Sequence, residues 1–347
     1  MGSVSTRAEL LNGYALQRIE QLLHGVERIV MLCHARPDGD CIGAMLGLAQ
    51  ILVGNGHRVH CISPSGVPRA ISWPAGHELL VEYEENREYV KELVTASELV
   101  IALDFNALSR MDDELANLLR ENSSPRVMLD HHPNPTDEFD LYFSFPAASS
   151  TCEVVYEVAT ALWGSEVVTL GVAECLYMGL MTDTGSFSYS CGRKRTFEVA
   201  GALVEAGADV PAIRSHVYGS YSEGRVRLYG FALYEQMRLV SGGRAAVMAL
   251  SRRLLSKYDY EPGDTEGLVN EPLAIGGVVV SVMLTERNAK TVRVSLRSRM
   301  GVQINGLAVR YFNGGGHPQA SGGMLRMDLE GAMRYTVRVL EEFFSGQ

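Results

Sequence analysis

The sequence predicts an α/β protein in which a parallel sheet with helices on both faces precedes a smaller α+β domain. Strand-length apolar runs alternate with helical stretches from residue 28 to about 181, which is the rhythm of βαβ units. After about residue 206, paired strands and a few helices replace this rhythm. We therefore predict a first domain over residues 1–212, a connector over 213–227 and a second domain over 228–347.

Each element of the first part follows from a local pattern. Continuous apolar runs indicate buried strands, and apolar residues at helical spacing indicate helices. Cap residues mark helix ends, as in Ser150-Thr-Cys-Glu153, which has the spacing of a capping box. The predicted strands cover 28–33, 58–63, 98–104 and 126–130. The predicted helices cover about 7–24, 41–55, 86–96, 111–121, 150–163 and 168–181.

The second part of the chain has a different pattern, with longer helices and strands that follow one another in pairs. Gly207 and Pro211 separate its first two helices, and a glycine-rich turn separates its last two. The predicted helices cover 194–206, 211–236, about 303–312 and about 328–344. The predicted strands cover 244–250, 277–285 and 290–297.

Composition and charge restrict the kind of partner. The chain has 347 residues, 46% of them hydrophobic, and a formal net charge of −10. Residues 1–225 hold the acidic excess and residues 226–347 are mildly basic. This split fits a carboxylate-rich metal site followed by a site for a phosphorylated ligand, although two ordinary solvated surfaces would show it too. Long nucleic acid is a poor partner for such a charge.

Membrane insertion and a disulfide framework are both unexpected. No apolar stretch has the length needed to span a bilayer. The six cysteines form no CxxC pair and lie mostly in apolar runs. They indicate buried thiols in a cytoplasmic protein.

Metal-capable side chains follow three of the predicted strands. His34-Ala-Arg-Pro-Asp38-Gly39-Asp40 follows the first, Asp104 ends the third and Asp130-His131-His132 ends the fourth, while Asp183 lies in a loop of similar character. Because strands of one parallel sheet point the same way, these side chains are expected to meet at one edge. Gly39 would free the backbone between the two aspartates. Imidazole and carboxylate together suit a divalent ion such as Mn²⁺.

The number of carboxylates is enough for two ions. His34, Asp38 and Asp104 would hold one ion, and Asp40, Asp104, His131 and Asp183 would hold the other. Such a pair, about 3.5–4 Å apart, is used for displacement at phosphorus. Singly, these residues have ordinary alternatives, since Asp104 would serve as a helix cap and Asp183 as a turn residue.

Five motifs, in order along the chain, resemble those of the DHH phosphoesterase superfamily and its associated C-terminal domain. They are His34-Ala-Arg-Pro-Asp38-Gly-Asp40, Leu103-Asp104-Phe105, Asp130-His131-His132-Pro133, Thr182-Asp183-Thr184-Gly185 and Asn313-Gly-Gly-Gly-His317-Pro-Gln-Ala320. The resemblance implies two Mn²⁺ ions per active site, with Mg²⁺ or Co²⁺ as substitutes, held by the six ligands named above. By domain plan the chain is most similar to the bifunctional oligoribonuclease/3′-phosphoadenosine 5′-phosphate phosphatases, or nanoRNases.

The resemblance also implies catalytic roles next to the metal ligands. Asp104 would bridge the two ions, and Asp130 would fix a metal-ligating imidazole. His132 has two open interpretations. It would either hydrogen-bond near the reacting phosphoryl group or orient Asp130 or His131.

In the second domain the resemblance implies a substrate-binding surface. Asn313, His317 and the backbone amides of Gly314, Gly315 and Gly316 would bind a phosphate of the substrate. Arg297 would hold a terminal phosphate through its guanidinium group. Arg299 shares the strand face of Arg297, so periodicity does not choose between them.

The chain departs from the family pattern at two positions near the expected substrate. Relatives often carry a basic residue where this chain has Ser188, and an Asp-Val pair where it has Ile304-Asn305. These departures leave the metal ligands unchanged and concern substrate preference. Arg193, Lys194 or Arg195 would be a substitute source of positive charge.

The resemblance implies a cytoplasmic, Mn²⁺-dependent phosphoesterase. It would cleave short oligonucleotides, such as linear diadenylate (pApA), to 5′-mononucleotides, with the nucleotide bisphosphate 3′-phosphoadenosine 5′-phosphate (PAP) as a second candidate substrate. A homodimer is expected on the same ground.

Three other functions stay open, namely a cyclic-di-AMP phosphodiesterase, a RecJ-like exonuclease on long single strands and a nucleotide-binding regulator without catalysis. The acidic charge disfavours the exonuclease, and the lack of membrane or sensor segments disfavours the cyclic-dinucleotide enzyme. The complete ligand set disfavours the regulator.

Overall fold

A computed structural model describes Leu11 and residues 13–219, 221–261 and 263–345. The chain divides into two compact units, Met1–Ser220 (unit 1) and Tyr221–Gln347 (unit 2). The division falls inside the predicted connector, and the functional bounds 1–212 and 228–347 stay predictions. Most of the predicted beginning of the first helix lies outside the described residues.

Unit 1 contains a six-stranded parallel sheet with the order β3-β2-β1-β4-β5-β6. Its strands are β1 (Arg28–Leu32), β2 (Arg58–Ser63), β3 (Leu80–Glu82), β4 (Leu99–Leu103), β5 (Arg126–Asp130) and β6 (Leu141–Ser144). The chain leaves β1 towards β2 on one side and later adds β4 on the other side. This reversal creates a crevice at the carboxyl ends of β1 and β4, where parallel sheets commonly bind ligands.

Helices cover both faces of this sheet, which confirms the predicted architecture. They are α1 (Gly13–Leu23), α2 (Gly39–Gly54), α3 (Arg87–Ala96), α4 (Asp113–Glu121), α5 (Thr151–Trp163), α6 (Leu170–Asp183), α7 (Lys194–Glu205) and α8 (Val210–Tyr218). Helices α3 and α4 pack on the face that carries Val30 and Val100. The other face, which carries Met31 and Ile101, packs against α2, α5 and α6. Alternate residues of each strand therefore enter two separate cores.

Unit 2 contains a mixed sheet with the order β11-β12-β10-β9-β8-β7. Its strands are β7 (Arg238–Val240), β8 (Ala245–Leu250), β9 (Val280–Asn288), β10 (Thr291–Ser298), β11 (Gly315–Gly316) and β12 (Ala320–Leu325). Its α-helices are α9 (Glu223–Phe231), α10 (Arg252–Lys257), α11 (Asn305–Tyr311) and α12 (Leu329–Ser345). Helices α11 and α12 cover one face, and α9 and α10 cover part of the other.

Several elements differ from the prediction. The single helix predicted over 211–236 is wrong, because α8 ends at Tyr218 and α9 begins after Ser222, whose hydroxyl caps it. The last five residues of that range, Ala232–Gln236, form a π-helical turn. The prediction also lacked the short strands β3, β6, β7 and β11, and it lacked β12.

None of the helices in the described residues combines the length and the apolar character that crossing a bilayer requires. All six cysteines are free thiols, as predicted. Five of them are buried, and Cys191 is partly exposed.

Candidate active site

The loop after β1 places three of the predicted ligands at the carboxyl edge of the sheet. His34 is buried two residues beyond the last strand residue. Asp38 caps α2, where its Oδ1 accepts hydrogen bonds from the backbone N–H groups of Asp40 (3.0 Å) and Cys41 (3.1 Å). Its Oδ2 lies 3.7 Å from His34 Nε2. Capping therefore orients one oxygen of Asp38 and leaves the other towards the imidazole.

Asp104 lies between two of the predicted imidazole ligands. It directly follows β4, is 2% exposed and has φ 64°, a left-handed conformation that few residues other than glycine, asparagine and aspartate adopt. Its Oδ2 lies 3.3 Å from His34 Nε2 and its Oδ1 lies 3.6 Å from His131 Nε2. The carboxylate thus reaches both groups of candidate ligands.

His131 is the centre of the second group. Its Nε2 lies 3.9 Å from Asp40 Oδ2 and 3.5 Å from Asp183 Oδ2. Asp183 is the last residue of α6, so the group combines a strand end with the ends of two helices. The structure brings all six predicted side chains within these short distances, and their roles as ligands stay predictions.

Sequence reasoning missed the contribution of α5. The backbone N–H groups of Thr151 and Cys152 donate to the two carboxylate oxygens of Asp40, at 2.6 and 2.9 Å. The Thr151 hydroxyl donates to Asp104 Oδ1 at 2.8 Å. The capping box predicts only where this helix begins. No local sequence pattern shows that its first backbone N–H groups point towards Asp40. The Ser150 hydroxyl does cap the helix by accepting from Glu153 N–H at 3.1 Å.

Glycines set the distance between α2 and α6, the helices that carry Asp40 and Asp183. A Cβ on Gly39 would lie 2.4 Å from Thr182 Oγ1, and one on Gly43 would lie 2.4 Å from the carbonyl oxygen of Cys175. Gly39 has no left-handed backbone conformation, so its predicted role in freeing the loop is wrong. Its role is to permit close packing of the two helices.

The electrostatics of the cluster favour a cation. Burial, with the nearby charges of Asp104 and Asp183, raises the pKa of Asp40 well above its ordinary value. Burial would raise the pKa of Asp104 too, but the adjacent imidazole of His34 and those of His132 and His131 hold that pKa well below its usual range. Burial would lower the pKa of His34, yet Asp104 and Asp38 raise it well above the ordinary value. Without a cation, the charge of Asp104 depends on the neighbouring imidazoles, whereas the charged form of Asp40 is disfavoured.

The donor set fits divalent ions. Asp40, Asp104 and His131 offer ligand atoms that all lie within 4.8 Å of one another, as do His34, Asp38 and Asp104. The nitrogen–oxygen separations of 3.3 to 3.9 Å are longer than good hydrogen bonds. They are close to the roughly 3–4 Å expected for two donors that each lie about 2.1 Å from a shared ion.

Asp130 and His132 form a pair beside this cluster. His132 Nδ1 lies 2.7 Å from Asp130 Oδ1, and 3.6 Å from Asp104 Oδ1. Asp130 is fully buried, and its Oδ2 has no hydrogen-bond partner among the described residues. The carboxylate of Asp130 thus contacts the imidazole of His132, and its predicted role of fixing a metal-ligating imidazole stays a prediction.

In unit 2, the contacts of the two arginines differ. Arg299 Nη2 donates to the carbonyl oxygens of Leu273 (2.6 Å) and Ile275 (3.1 Å). Arg297 lies within β10, and its Nη1 donates to the carbonyl oxygen of Leu296 at 2.9 Å. Because Arg299 is held by a neighbouring segment, the contacts favour Arg297 for ligand binding.

The glycine-rich turn is more engaged than the sequence suggested. Gly314 N–H donates to the carbonyl oxygen of Ala308, while Gly315 and Gly316 pair with β12. Asn313 Nδ2 donates to the Met324 carbonyl oxygen. The Gly314 amide is thus used within the fold, which counts against its predicted contact with phosphate. His317 is partly exposed at the end of the turn.

The residues proposed to replace the missing basic side chain are also engaged. Arg193 Nη1 lies 2.7 Å from Glu153 Oε1, and Arg195 binds Glu157, both of these glutamates being buried. Lys194 pairs with Glu198 on the surface.

Another arginine contacts the segment that leads to Ser188. Arg214 Nη1 of α8 donates to Ser186 Oγ at 3.0 Å. Sequence reasoning missed it, because 28 residues separate the two side chains along the chain.

Comparison with known proteins gives consistent matches. The DHH family, N-terminal domain, matches residues 28–180, and the DHHA1 domain matches residues 242–346. The bifunctional oligoribonuclease and PAP phosphatase NrnA of Bacillus subtilis is 31% identical over 85% of this chain and 88% of that protein. The cyclic-di-AMP phosphodiesterase GdpP of Geobacillus thermodenitrificans is 24% identical over 94% of this chain but only 49% of that protein.

A solved structure matches along nearly the whole chain. An exopolyphosphatase-related protein from Bacteroides fragilis superposes with a TM-score of 0.90 at 33% identity. The match covers 96% of this chain and 97% of that one.

Proposed function

Since the chain belongs to the DHH family of phosphoesterases and also carries a DHHA1 domain, we propose that it hydrolyses short oligonucleotides to 5′-mononucleotides. We further propose that it removes the 3′-phosphate of PAP, giving AMP. The relative from Bacillus subtilis is named for both activities and matches this chain along most of its length. Cyclic-di-AMP phosphodiesterases are more distant and extend well beyond this chain.

The observation that carries the proposal is the position of Asp104. Its two oxygens face two different imidazoles, His34 and His131, at the carboxyl edge of the sheet. We propose that His34, Asp38 and Asp104 hold one Mn²⁺ ion and that Asp40, Asp104, His131 and Asp183 hold a second, with Mg²⁺ or Co²⁺ as substitutes. Bound there, the ions would supply positive charge to the phosphoryl oxygens and lower the pKa of the attacking water.

His132 is suited to handle a proton beside the phosphoryl group. Asp130 Oδ1 accepts from Nδ1 of the imidazole, which fixes the ring orientation and the tautomer. Nε2 is then the other ring nitrogen, and it would donate to the phosphate or to the leaving oxygen when the ring carries a second proton as an imidazolium. In this proposal Asp130 acts through His132 and does not touch the substrate.

Substrate recognition is assigned to unit 2. We propose that Arg297 and His317 bind a phosphate of the substrate, with Asn313, Gly315 and Gly316 shaping the turn. His317→Ala is expected to raise KM more than it lowers kcat, because it removes binding and leaves the chemistry intact. Steady-state kinetics on pApA measure the split.

The test of the metal site is Asp104→Asn. Asparagine keeps the shape of the side chain and tolerates the left-handed conformation at this position, so the variant changes charge with little strain. We expect loss of Mn²⁺-dependent AMP release from pApA, as for His131→Ala. Product-resolved chromatography measures it.

The matched control is Asp113→Asn on the exposed first turn of α4, which should hydrolyse pApA at the wild-type rate. Undiminished turnover by Asp104→Asn would contradict the proposed site.

A substrate panel separates the proposed function from its rivals. With Mn²⁺ present, we expect turnover of pApA, di- to pentaribonucleotides and PAP, and little turnover of cyclic di-AMP or a thirty-nucleotide strand. Preferred cleavage of the cyclic dinucleotide or of the long strand would replace the proposal with the corresponding alternative. Tight binding without hydrolysis would indicate a regulator. The cytoplasmic location, indicated by the cysteine pattern, and the homodimer, expected from family resemblance, remain proposals.

A further inference from the structure

We propose that Thr151 is a positioning residue that sets the orientation of the two buried carboxylates, Asp40 and Asp104, for metal binding. The inference rests on the proposed metal site and adds to it a residue that binds no ion itself. It also gives α5, whose sequence shows only a capping box, a direct part in building the site.

Three hydrogen bonds join α5 to the two carboxylates. Thr151 N–H and Cys152 N–H each bind one oxygen of Asp40, at 2.6 and 2.9 Å. The Thr151 hydroxyl binds Asp104 Oδ1 at 2.8 Å. Thr151, Asp40 and Asp104 are 0%, 1% and 2% exposed. Water therefore does not compete for these bonds, and each one limits how the carboxylates rotate.

The hydrogen bonds from α5 fix the two carboxylates and leave lone pairs on each of them available to bind an ion. The first N–H groups of a helix have no partner within the helix and carry partial positive charge, so those of α5 fix the plane of the Asp40 carboxylate. The Thr151 hydroxyl uses one lone pair of Asp104 Oδ1. Oδ2 then stays directed at His34, 3.3 Å away, and Oδ1 keeps a second lone pair on the side of His131.

The hydroxyl of Thr151 is not needed to cap its own helix. Capping of α5 is performed by the hydroxyl of Ser150, which accepts from Glu153 N–H. By contrast, the hydroxyl of Thr160, on the same helix, binds back to the Tyr156 carbonyl oxygen at 2.7 Å. Thr151, at the first helical position, instead donates to the carboxylate of Asp104, which lies 47 residues away along the chain. Orienting that carboxylate is the role that accounts for this bond.

The helix end itself is firmly anchored. The Glu153 carboxylate accepts from the backbone and the hydroxyl of Ser149, from the hydroxyl of Thr196 and from Arg193. All but Arg193 are buried. The backbone around Thr151 is therefore held in place, which a residue that orients metal ligands requires.

The test is Mn²⁺ binding to the metal-free full-length protein, measured by titration calorimetry. Thr151→Val keeps the branched shape and removes the donor, and we expect Mn²⁺ affinity to fall by about 10- to 100-fold, the usual cost of losing such a partner. Thr151→Ser keeps the hydroxyl and should bind close to wild type. Thr160→Val is the matched control and should not change the affinity. In assays, the Mn²⁺ concentration for half-maximal turnover of Thr151→Val should rise by the same factor.

The outcomes distinguish this inference from the metal site on which it rests. Wild-type affinity in Thr151→Val, or equal losses in the valine and serine variants, would overturn the positioning role while leaving the metal site intact. A lower Tm in chelator with unchanged Mn²⁺ affinity would mean a purely structural threonine and would overturn it too. If wild-type protein fails to bind Mn²⁺, the proposed site and this inference fall together. Should Thr151→Val not fold, Thr151→Ala removes the same hydroxyl at smaller volume and is judged by the same criteria.

Discussion

At the scale of single residues, buried acidic groups in unit 1 differ in how their charge is balanced. Glu153 is fully buried and balanced by Arg193, by two hydroxyl groups and by a backbone amide. Asp40 is equally buried, but Asp104 and Asp183 place negative charge beside it. A buried carboxylate that already has its countercharge needs no further cation, whereas one surrounded by like charge is suited to bind one.

Arg193→Ala tests how much Arg193 contributes to stability by balancing the charge of buried Glu153. The substitution leaves the Glu153 carboxylate buried without its ion pair and also removes the guanidinium stacked 4.7 Å from the ring centroid of Phe145. We expect the free energy of unfolding to fall by about 3 kcal/mol, the low end for breaking a buried pair, because Arg193 is partly exposed. Urea unfolding measures it.

The neighbouring Lys194→Ala is the control for that experiment. Lys194 pairs with Glu198 on the surface, where solvent screens the interaction, so stability should scarcely change. Equal losses of unfolding free energy in Arg193→Ala and Lys194→Ala would show that the burial of Glu153 does not determine how much its ion pair contributes.

At the scale of elements, prediction succeeded where one signal was strong. The strands β1, β2, β4 and β5 were predicted within one or two residues. In β1, β4 and β5 the signal is a mostly apolar run buried on both faces, whereas β2 (Arg58–Ser63) is more polar. β3 and β6 were missed since three or four residues carry too little pattern. β12 was missed because Ala320-Ser-Gly-Gly reads as a loop, although those glycines pair with β10.

The candidate site shows the same limit. Side chains at strand ends could be predicted to meet, because strand direction in a parallel sheet determines where the ends lie. The contacts of Thr151 with Asp40 and Asp104 could not, since they depend on how α5 packs against α2. Likewise, the pairing of Arg193 with Glu153 removes a charge that the sequence alone left available.

Gly43→Ala tests the close packing of α2 on α6. The added methyl would lie 2.4 Å from the carbonyl oxygen of Cys175, a backbone atom that cannot yield without moving α6. We expect a loss of about 1–3 kcal/mol in unfolding free energy, as for other overpacked sites. Urea unfolding and the Mn²⁺ dependence of activity should both change, because Asp40 and Asp183 lie on the separated helices.

Gly201→Ala in α7 is the corresponding control. No atom lies within 4 Å of the position that its added methyl would take, and its backbone is helical. Alanine there should leave stability unchanged or raise it by up to about 1 kcal/mol, because alanine favours helices. A loss as large as that of Gly43→Ala would contradict the packing explanation.

At the scale of the whole molecule, folding of unit 1 would also form the proposed metal site. The candidate ligands lie between His34 and Asp183 and come from the ends of β1, β4, β5 and α6 and from the beginning of α2. An unfolded chain holds them far apart. Any affinity for metal is therefore also stability of the fold.

Metal addition should thus raise the stability of unit 1. At a free Mn²⁺ concentration about 100-fold above Kd, we expect about 2.7 kcal/mol of added stability for one site. Both tryptophans, Trp73 and Trp163, lie in unit 1, so their fluorescence during urea unfolding reports this unit. Asp104→Asn should show little of the increase. An equal gain in that variant would mean that Mn²⁺ binds elsewhere.

The order of the ligands along the chain also has a consequence during synthesis on the ribosome. Asp183, at the end of α6, is the last of them to be translated, and α5 with Thr151 comes only shortly before it. A nascent chain that ends shortly after β4 already contains Asp38, Asp40 and Asp104 but lacks His131 and Asp183, so the proposed metal site is incomplete. If Asp183 is a ligand as proposed, the chain would gain the capacity to cleave a phosphoester only when α6 has emerged and docked, and an incomplete chain would leave the phosphoesters around it intact.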